Sequence, residues 1–399
     1  MGTGKYQMQR EPLGLDMGND ASIGRASKSA IAAILYITQD APTIRLQISN
    51  AFGISDLPIT AVTIAVPLNG SAGTSAIKTE SVKPLTFSGH ADFIVPNGAR
   101  VVSDPVDYPV EAEQILTISI YLAAGQSTNY ITGHPGSRTT SFYAPGNRVD
   151  AADIADDAAA QHTDHWYFIS NIDGWLPGAS SALVIVGDSI TDGRGSTTNN
   201  NDRWPDRLLA RLQNDSSTNN IAVVNQAAGG NRVLYDGLGP NALGRIDRDV
   251  IVQSGAKYAL LYEGVNDIGM ADTDAATQET VGTRLIGAYD QVISRLHTFG
   301  IPVFGATITP FSGPGQAYSD ANREATRQRV NEWIRHGGRF DAVVDFDEAV
   351  RDPANATQLA SAYNSGDYLH LNPEGYRVMA EAVDISLFAR FKGGVHSMT

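Results

Sequence analysis

Ser189 follows the run Leu183-Val-Ile-Val-Gly-Asp, which places it just beyond the carboxyl end of a strand, where open α/β sheets hold their ligands. A serine there can attack an ester carbonyl if a base removes its proton and a carboxylate holds the base's other nitrogen. Asp367-Tyr-Leu-His370 presents both groups at a spacing that one loop can serve, just ahead of Asn372-Pro373 and a final helix. Of the eight histidines, His370 alone combines such a spacing with such a position. By itself Gly187-Asp188-Ser189 reads as a turn with a capping serine, so the distant acid–base pair is what gives it chemical meaning.

Acyl transfer also needs donors aimed at a developing oxyanion. Asn225-Gln-Ala-Ala-Gly229-Gly230-Asn231 and Gly264-Val265-Asn266-Asp267 each follow an apolar segment. The first offers a backbone N–H that glycine leaves open, and the second an amide side chain. Either segment also reads as a plain βα turn.

The elements that must carry these groups are legible from periodicity. After Ser181 short apolar runs at Leu183 to Val186, Ile221 to Val224, Tyr258 to Leu261, Pro302 to Ala306 and Ala342 to Phe346 read as strands. They alternate with helical patterns near Trp204 to Leu212, Thr283 to Thr298 and Asn322 to Arg335, and from Pro373. Strand and helix in alternation predict a doubly wound parallel sheet of the flavodoxin-like kind. Before Gly133 the grammar differs. Ile44, Leu46 and Ile48, then Leu116, Ile118, Ile120 and Leu122, recur with period two among Gly, Pro and Asn turns, which predicts an all-β sandwich. Residues 1–30 read as a tail, 31–132 as the sandwich, 133–178 as an irregular connector packing between domains, and 179–399 as the α/β domain. Within the connector, Trp166, Phe168 and Trp175 read as interface aromatics in preference to a sugar platform.

The four segments together resemble the signature blocks of the SGNH (GDSL-type) hydrolase family, in order: Gly-Asp-Ser, a block-two glycine, Gly-x-Asn-Asp and Asp-x-x-His. The resemblance implies that Ser189 is the nucleophile, His370 the base and Asp367 its orienting acid. It also implies an oxyanion hole built from the Ser189 N–H, Gly230 and Asn266. Gly229 and Gly230 adjoin, and the family's Asn-x-x-x-x-Gly register favours Gly230. Thr191-Asp192-Gly193, Arg203-Trp204-Pro205 and Gly230-Asn231-Arg232 resemble the two-part secreted esterases that carry a β-sandwich before the hydrolase. The sequence departs from the pattern at Ile190 after the serine and at Leu371, where many relatives have proline; neither is a reacting group.

Composition limits the alternatives. The 399 residues suit two domains, since one core stops growing at roughly 250 to 300 residues; 43 acids against 29 bases give a formal charge of −14, which repels nucleic acid. There is no cysteine, so thiolate nucleophiles, thiolate metal sites and disulfides are excluded. No apolar run reaches membrane-span length. Met1 to Tyr6 lacks the pattern of a signal peptide, while sequons at Asn69, Asn214 and Asn355 suit a secreted chain. No cofactor is expected. His162-Thr-Asp164-His165 lacks a regular ligand pattern and reads as a polar edge. The acids from Asp150 to Asp157 lack the glycine and terminal glutamate of a calcium loop.

The expected activity is therefore metal-independent hydrolysis of a small-molecule or glycan ester. A short acyl group on a polar or carbohydrate alcohol is favoured because Gly193 to Asp202 and Gly229 to Gly244 are rich in Asn, Asp, Gly and Thr. Val233, Leu234, Tyr235 and Leu238 could instead wall a longer acyl chain. Specificity is expected in loops such as Gly193 to Asp202 and Thr309 to Tyr318. A carbohydrate-binding protein with a vestigial hydrolase half, and a transacylase, are the competing classes. Oligomeric state is not encoded legibly.

Overall fold

The computed structural model describes residues 9–10, 29–126, 128, 130–176, 178 and 180–396. The chain divides into two compact units, one of Met1–Ala179 with Thr198–Asn201, the other of Ser180–Thr197 with Asp202–Thr399. Of the segment read as a tail, residues 1–8 and 11–28 lie outside the described residues.

The first unit is built of antiparallel strands. Its six-stranded sheet runs in the order Gln161–Thr163, Ser141–Pro145, Ser29–Tyr36, Ile115–Leu122, Ala61–Ala65, Lys83–Leu85. A three-stranded sheet runs Ile169–Gly174, Ile44–Ser49, Arg100–Val102. Because successive side chains point to opposite faces, Ile44, Leu46 and Ile48 of the smaller sheet share one core with Ile31, Ala33, Ile118 and Ile120 of the larger. The other face of Ser29–Tyr36 is also covered, with Ala30 and Ala32 packing on Ala144 and Ile154, and this explains the unbroken apolar run from Ala30 to Leu35.

The stretch 133–178 is not an irregular connector. Together with Thr132 it forms the strands Thr132–His134, Ser141–Pro145, Gln161–Thr163, Trp166–Tyr167 and Ile169–Gly174, all paired into sheets of this unit. The shorter of these strands carry too few alternations to announce themselves, and a bulge between Ile169 and Asn171 interrupts the alternation of the longest. Trp166 and Phe168 lie in the core, whereas Trp175 is 70% exposed, so the three aromatics do not form one surface. His162 sits opposite Phe142 on an edge strand, Asp164 accepts from the Thr140 hydroxyl at 2.7 Å, and His165 Nδ1 lies 3.4 Å from the Tyr167 hydroxyl. Among the described residues no three His, Asp or Glu side chains converge as metal ligands.

The second unit holds five parallel strands, β1 (Ser181–Gly187), β2 (Ile221–Asn225), β3 (Ala256–Tyr262), β4 (Val303–Ala306) and β5 (Ala342–Val344), in the order β2-β1-β3-β4-β5. The order reverses beside β1, as in doubly wound flavodoxin-like folds. Residues 182–186 of β1 are almost wholly inaccessible, as expected for the centre of a covered parallel sheet.

The described part of this unit also holds a small antiparallel pair, Arg351–Asp352 with Asn355–Leu359, and nine α-helices: α1 (Ser189–Asp192), α2 (Trp204–Gln213), α3 (Ala242–Ile246), α4 (Val265–Met270), α5 (Ala275–His297), α6 (Ala321–His336), α7 (Phe346–Val350), α8 (Pro373–Ala382) and α9 (Ser386–Arg390). A π-helical turn, Asp247–Ile251, continues α3. Helix α5 starts two turns before the expected Thr283, because Asp274 caps it by accepting from the Thr277 N–H at 3.0 Å. The run expected as a strand to Phe346 ends at Val344; Asp345 caps α7 through the Glu348 N–H. Among the described residues no helix is long and apolar enough to cross a membrane.

Candidate active site

The strand order reverses between β1 and β3, and doubly wound sheets place their ligands at the carboxyl ends of the strands beside such a reversal; the chemistry-bearing segments emerge there. Ser189 is the first residue of α1, directly after β1, with Asp188 as N-cap accepting from the Ile190 N–H at 2.9 Å. The first N–H groups of a helix have no intrahelical acceptor, and the Ser189 N–H has no hydrogen-bond acceptor among the described residues. Ser189 Oγ lies 2.8 Å from His370 Nε2.

His370 Nδ1 lies 2.5 Å from Asp367 Oδ2, while Asp367 Oδ1 accepts from the backbone N–H groups of Leu369 (3.0 Å) and His370 (2.8 Å). Burial works against the charge of Asp367. The His370 side chain, its backbone N–H and its charge outweigh that effect and hold the carboxyl well below the usual range. An ionised carboxylate only accepts, so Nδ1 carries the proton and Nε2 is left to take one from the serine. The tight loop needs a left-handed residue at Tyr368, φ 60°.

The two donor segments also reach this edge. Gly230 has φ +73°, and a Cβ there would meet Leu238 Cδ1 at 2.6 Å. The Gly229 N–H is committed to Asp192 Oδ2 at 3.0 Å; the Gly230 N–H has no such bond among the described residues. Gly264 has φ +114°, and a Cβ there would lie 2.4 Å from the Tyr289 hydroxyl, so glycine is required where the chain turns from β3 into α4. Asn266, in the first turn of α4, donates from Nδ2 to the Asn231 carbonyl at 2.9 Å. Asp267 beside it accepts from the N–H groups of Val233 (2.8 Å) and Leu234 (2.9 Å), which fixes the loop after β2. Burial pushes the Asp267 carboxyl up to about 6 even though those N–H groups favour its charge.

Beneath the site lies a buried polar cluster that the sequence does not announce. Arg245, 1% exposed, donates to Asp249 Oδ2 (2.9 Å), Glu263 Oε1 (3.3 Å), Asn231 Oδ1 (2.7 Å) and the carbonyls of Gln226 (2.6 Å) and Gly187 (3.3 Å). It thus braces the segments that carry Ser189 and Gly230, and through Asn231 the side chain of Asn266. Burial, then the charges of Asp267 and Asp192, push Asp188 up to about 7 against the favourable Ile190 N–H. Glu263 is raised well above its ordinary value, by burial first and by Asp188 next.

The structure therefore brings Ser189, Asp367, His370, Gly230 and Asn266 to one sheet edge. Sequence reading missed Arg245, Asp192 and Asn231 as supports. Arg245 carries no sequence signal, since an isolated arginine on a short helix reads as surface. Asn231 lay inside a recognised triplet, and its adjacency to Gly230 was the available clue.

Residues 185–378 match the GDSL-like lipase/acylhydrolase family. No curated protein matches the sequence. Similar solved structures include a GDSL-like lipase from Bacteroides thetaiotaomicron, 19% identical over 51% of this chain and 85% of that one, with a TM-score of 0.36. A carbohydrate acetylesterase from Sinorhizobium meliloti is 12% identical over 53% of this chain and 100% of that one, TM-score 0.40. An acetyl xylan esterase from Geobacillus stearothermophilus is 21% identical over 55% of this chain and 99% of that one, TM-score 0.39.

Proposed function

From the premise that residues 185–378 form a domain of the GDSL-like lipase/acylhydrolase family, we propose that this ester hydrolase works through an acyl-enzyme on Ser189. The observation that carries the proposal is the unbroken relay from Ser189 Oγ through His370 to Asp367, at 2.8 and 2.5 Å. As Oγ bonds to the ester carbonyl carbon, its proton passes to His370 Nε2. Asp367 stabilises the imidazolium so formed. The oxygen that becomes anionic is met by the N–H groups of Ser189 and Gly230 and by the Asn266 amide, of which one Nδ2 hydrogen remains after the bond to Asn231. Collapse expels the alcohol with the proton from His370; water then attacks the acyl-enzyme by the same route and releases the acid. Commitment of the Gly229 N–H to Asp192 supports Gly230 as the glycine donor.

The substrate is a short acyl ester, acetyl above all, of a polar or carbohydrate alcohol. Of the four residues able to wall a long chain, Val233 is fully buried, with its N–H bound to Asp267, whereas Tyr235 and Leu238 are exposed to solvent. A long acyl chain calls for an extended apolar lining, and these leave little of one. Secretion is supported by the exposure of all three sequon asparagines, Asn69, Asn214 and Asn355.

The test is the specificity constant across acetyl, butyryl, octanoyl and palmitoyl esters of one alcohol, with acetate release from an acetylated glycan, beside Ser189→Ala and His370→Ala. Each variant should lose several orders of magnitude in turnover. Near-native turnover in either one removes the serine mechanism. A constant rising towards palmitoyl, with no acetate released, replaces the short-chain reading by a lipase-like one.

A further inference from the structure

The segment between β4 and α6 touches both the Asp367–His370 loop and Asn266. It is pinned at its start, where Asn331 makes a two-way bond with the backbone of Ile308 at 2.7 and 2.8 Å and Tyr262 meets the Thr309 hydroxyl at 2.7 Å. At its end Asp320 caps α6, and Arg323 donates to the carbonyls of Ala317 (2.9 Å) and Ala271 (2.6 Å). Between these anchors, Gln316 donates through Nε2 to the Asp367 carbonyl at 2.5 Å and accepts from the Tyr318 N–H at 3.1 Å. Tyr318 then donates its hydroxyl proton to Asn266 Oδ1 at 3.0 Å.

That last bond settles how the Asn266 amide is turned. The Asn231 carbonyl can only accept, so Nδ2 faces it, and Oδ1 is left towards Tyr318, whose hydroxyl must be the donor. Burial raises the Tyr318 phenol above its ordinary value, and the nearby charge of Asp188 adds to this, so the proton stays in place. The ring itself is fixed: it lies against Gly269, where a Cβ would come within 2.2 Å of it, and edge-on to Phe311 with centroids 6.3 Å apart. With one Nδ2 hydrogen held by Asn231 and Oδ1 held by Tyr318, the second Nδ2 hydrogen has a single direction, and a donor to Oδ1 polarises it further.

We propose that Tyr318 is a positioning residue of the oxyanion hole, acting through its hydroxyl on the Asn266 amide, and that Gln316 ties its placement to the loop of Asp367 and His370. The proposal rests on Asn266 being an oxyanion donor. The bond matters most when negative charge develops, so its loss falls on turnover and leaves ground-state binding alone.

The experiment is a double-mutant cycle on the full chain with 4-nitrophenyl acetate, using Tyr318→Phe, Asn266→Ala and the pair, with thermal unfolding of each. Tyr318→Phe keeps the ring and its packing, and should lower kcat about 3- to 10-fold, the weight of one neutral hydrogen bond, with KM unchanged and the unfolding midpoint lowered only modestly, by the orphaning of the buried Asn266 Oδ1. In the Asn266→Ala background the same change should have no further effect. Wild-type kcat in Tyr318→Phe overturns the positioning role, as does an equal loss in both backgrounds. Full activity of Asn266→Ala instead removes the oxyanion reading on which the inference stands, and full activity of Ser189→Ala in the same assay removes the serine mechanism.

Discussion

Replacing Arg245 by methionine tests whether the site rests on its buried cluster. The apolar stem keeps its volume while the charge and its donors go. The cost follows from what each partner retains. Asp249 keeps Arg248, at 2.7 and 3.3 Å; Glu263 is already biased towards its neutral form by burial; and the Gly187 carbonyl keeps the Ala228 N–H at 2.9 Å. The Gln226 carbonyl and Asn231 Oδ1 are left without the donor that served them. An orphaned buried acceptor costs about 1–3 kcal/mol, so two of them give about 2–6 kcal/mol, which brackets the about 3–5 kcal/mol for breaking a buried ion pair by removing one partner. Against a typical stability of about 5–15 kcal/mol the variant still folds at 25 °C, with its urea midpoint well down and kcat lowered because Asn231 no longer braces Asn266. Urea unfolding with kcat measured alongside reads both effects. The control is Arg248→Met, a partly exposed neighbour on the same carboxylate, expected to cost less than about 1 kcal/mol. A loss below about 1 kcal/mol for Arg245→Met, or equal losses for the two variants, refutes the bracing argument.

Three further outcomes are expected. Asn266→Ala should lower kcat by about 10²–10³, the loss typical of one oxyanion donor, with a much smaller change in KM; steady-state kinetics reads the split. Incubation with a chelator such as EDTA should leave ester hydrolysis intact, because the proposed route through Ser189, His370 and Asp367 uses no metal, and activity lost on chelation and restored by one cation would contradict this. Asp188 is raised in the fold to about 7 from about 3.9 in an unfolded chain, so the fold holds its proton more tightly. The stability this confers is complete below about pH 4 and is lost as the pH rises through about 7. Asp188→Asn should flatten that stretch of the curve of unfolding free energy against pH, and an unchanged slope would place the titration elsewhere.

The parts of the site readable in sequence are those whose geometry is local. Asp367 and His370 are three residues apart on one loop, and Ser189, Gly230 and Asn266 each sit just beyond a strand whose apolar run is visible. The supports were not readable, because packing sets them: Tyr318 meets Asn266 across 52 residues, and Arg245 reaches Gly187 across 58. The same distinction governs the elements. The start of α5 was missed because its first turns carry the polar run Ala275-Ala-Thr-Gln-Glu-Thr, with only Gln278 buried among them. Most strands within 133–178 are too short for their alternation to show, and in Ile169–Gly174 a bulge between Ile169 and Asn171 breaks the period.

The loop from Asp367 to His370 has a mechanical consequence. Asp367 grips the backbone N–H of His370 with one oxygen and the ring with the other, so the two residues form one rigid piece, and the proposed relay has a single seam, between that piece and Ser189. Strain, heat or a poorly fitting substrate will open the seam before it disturbs the pair. Ester hydrolysis should therefore stop with the Asp367–His370 pair intact, and a proton resonance from the His370 Nδ1–H should outlast activity as denaturant is added.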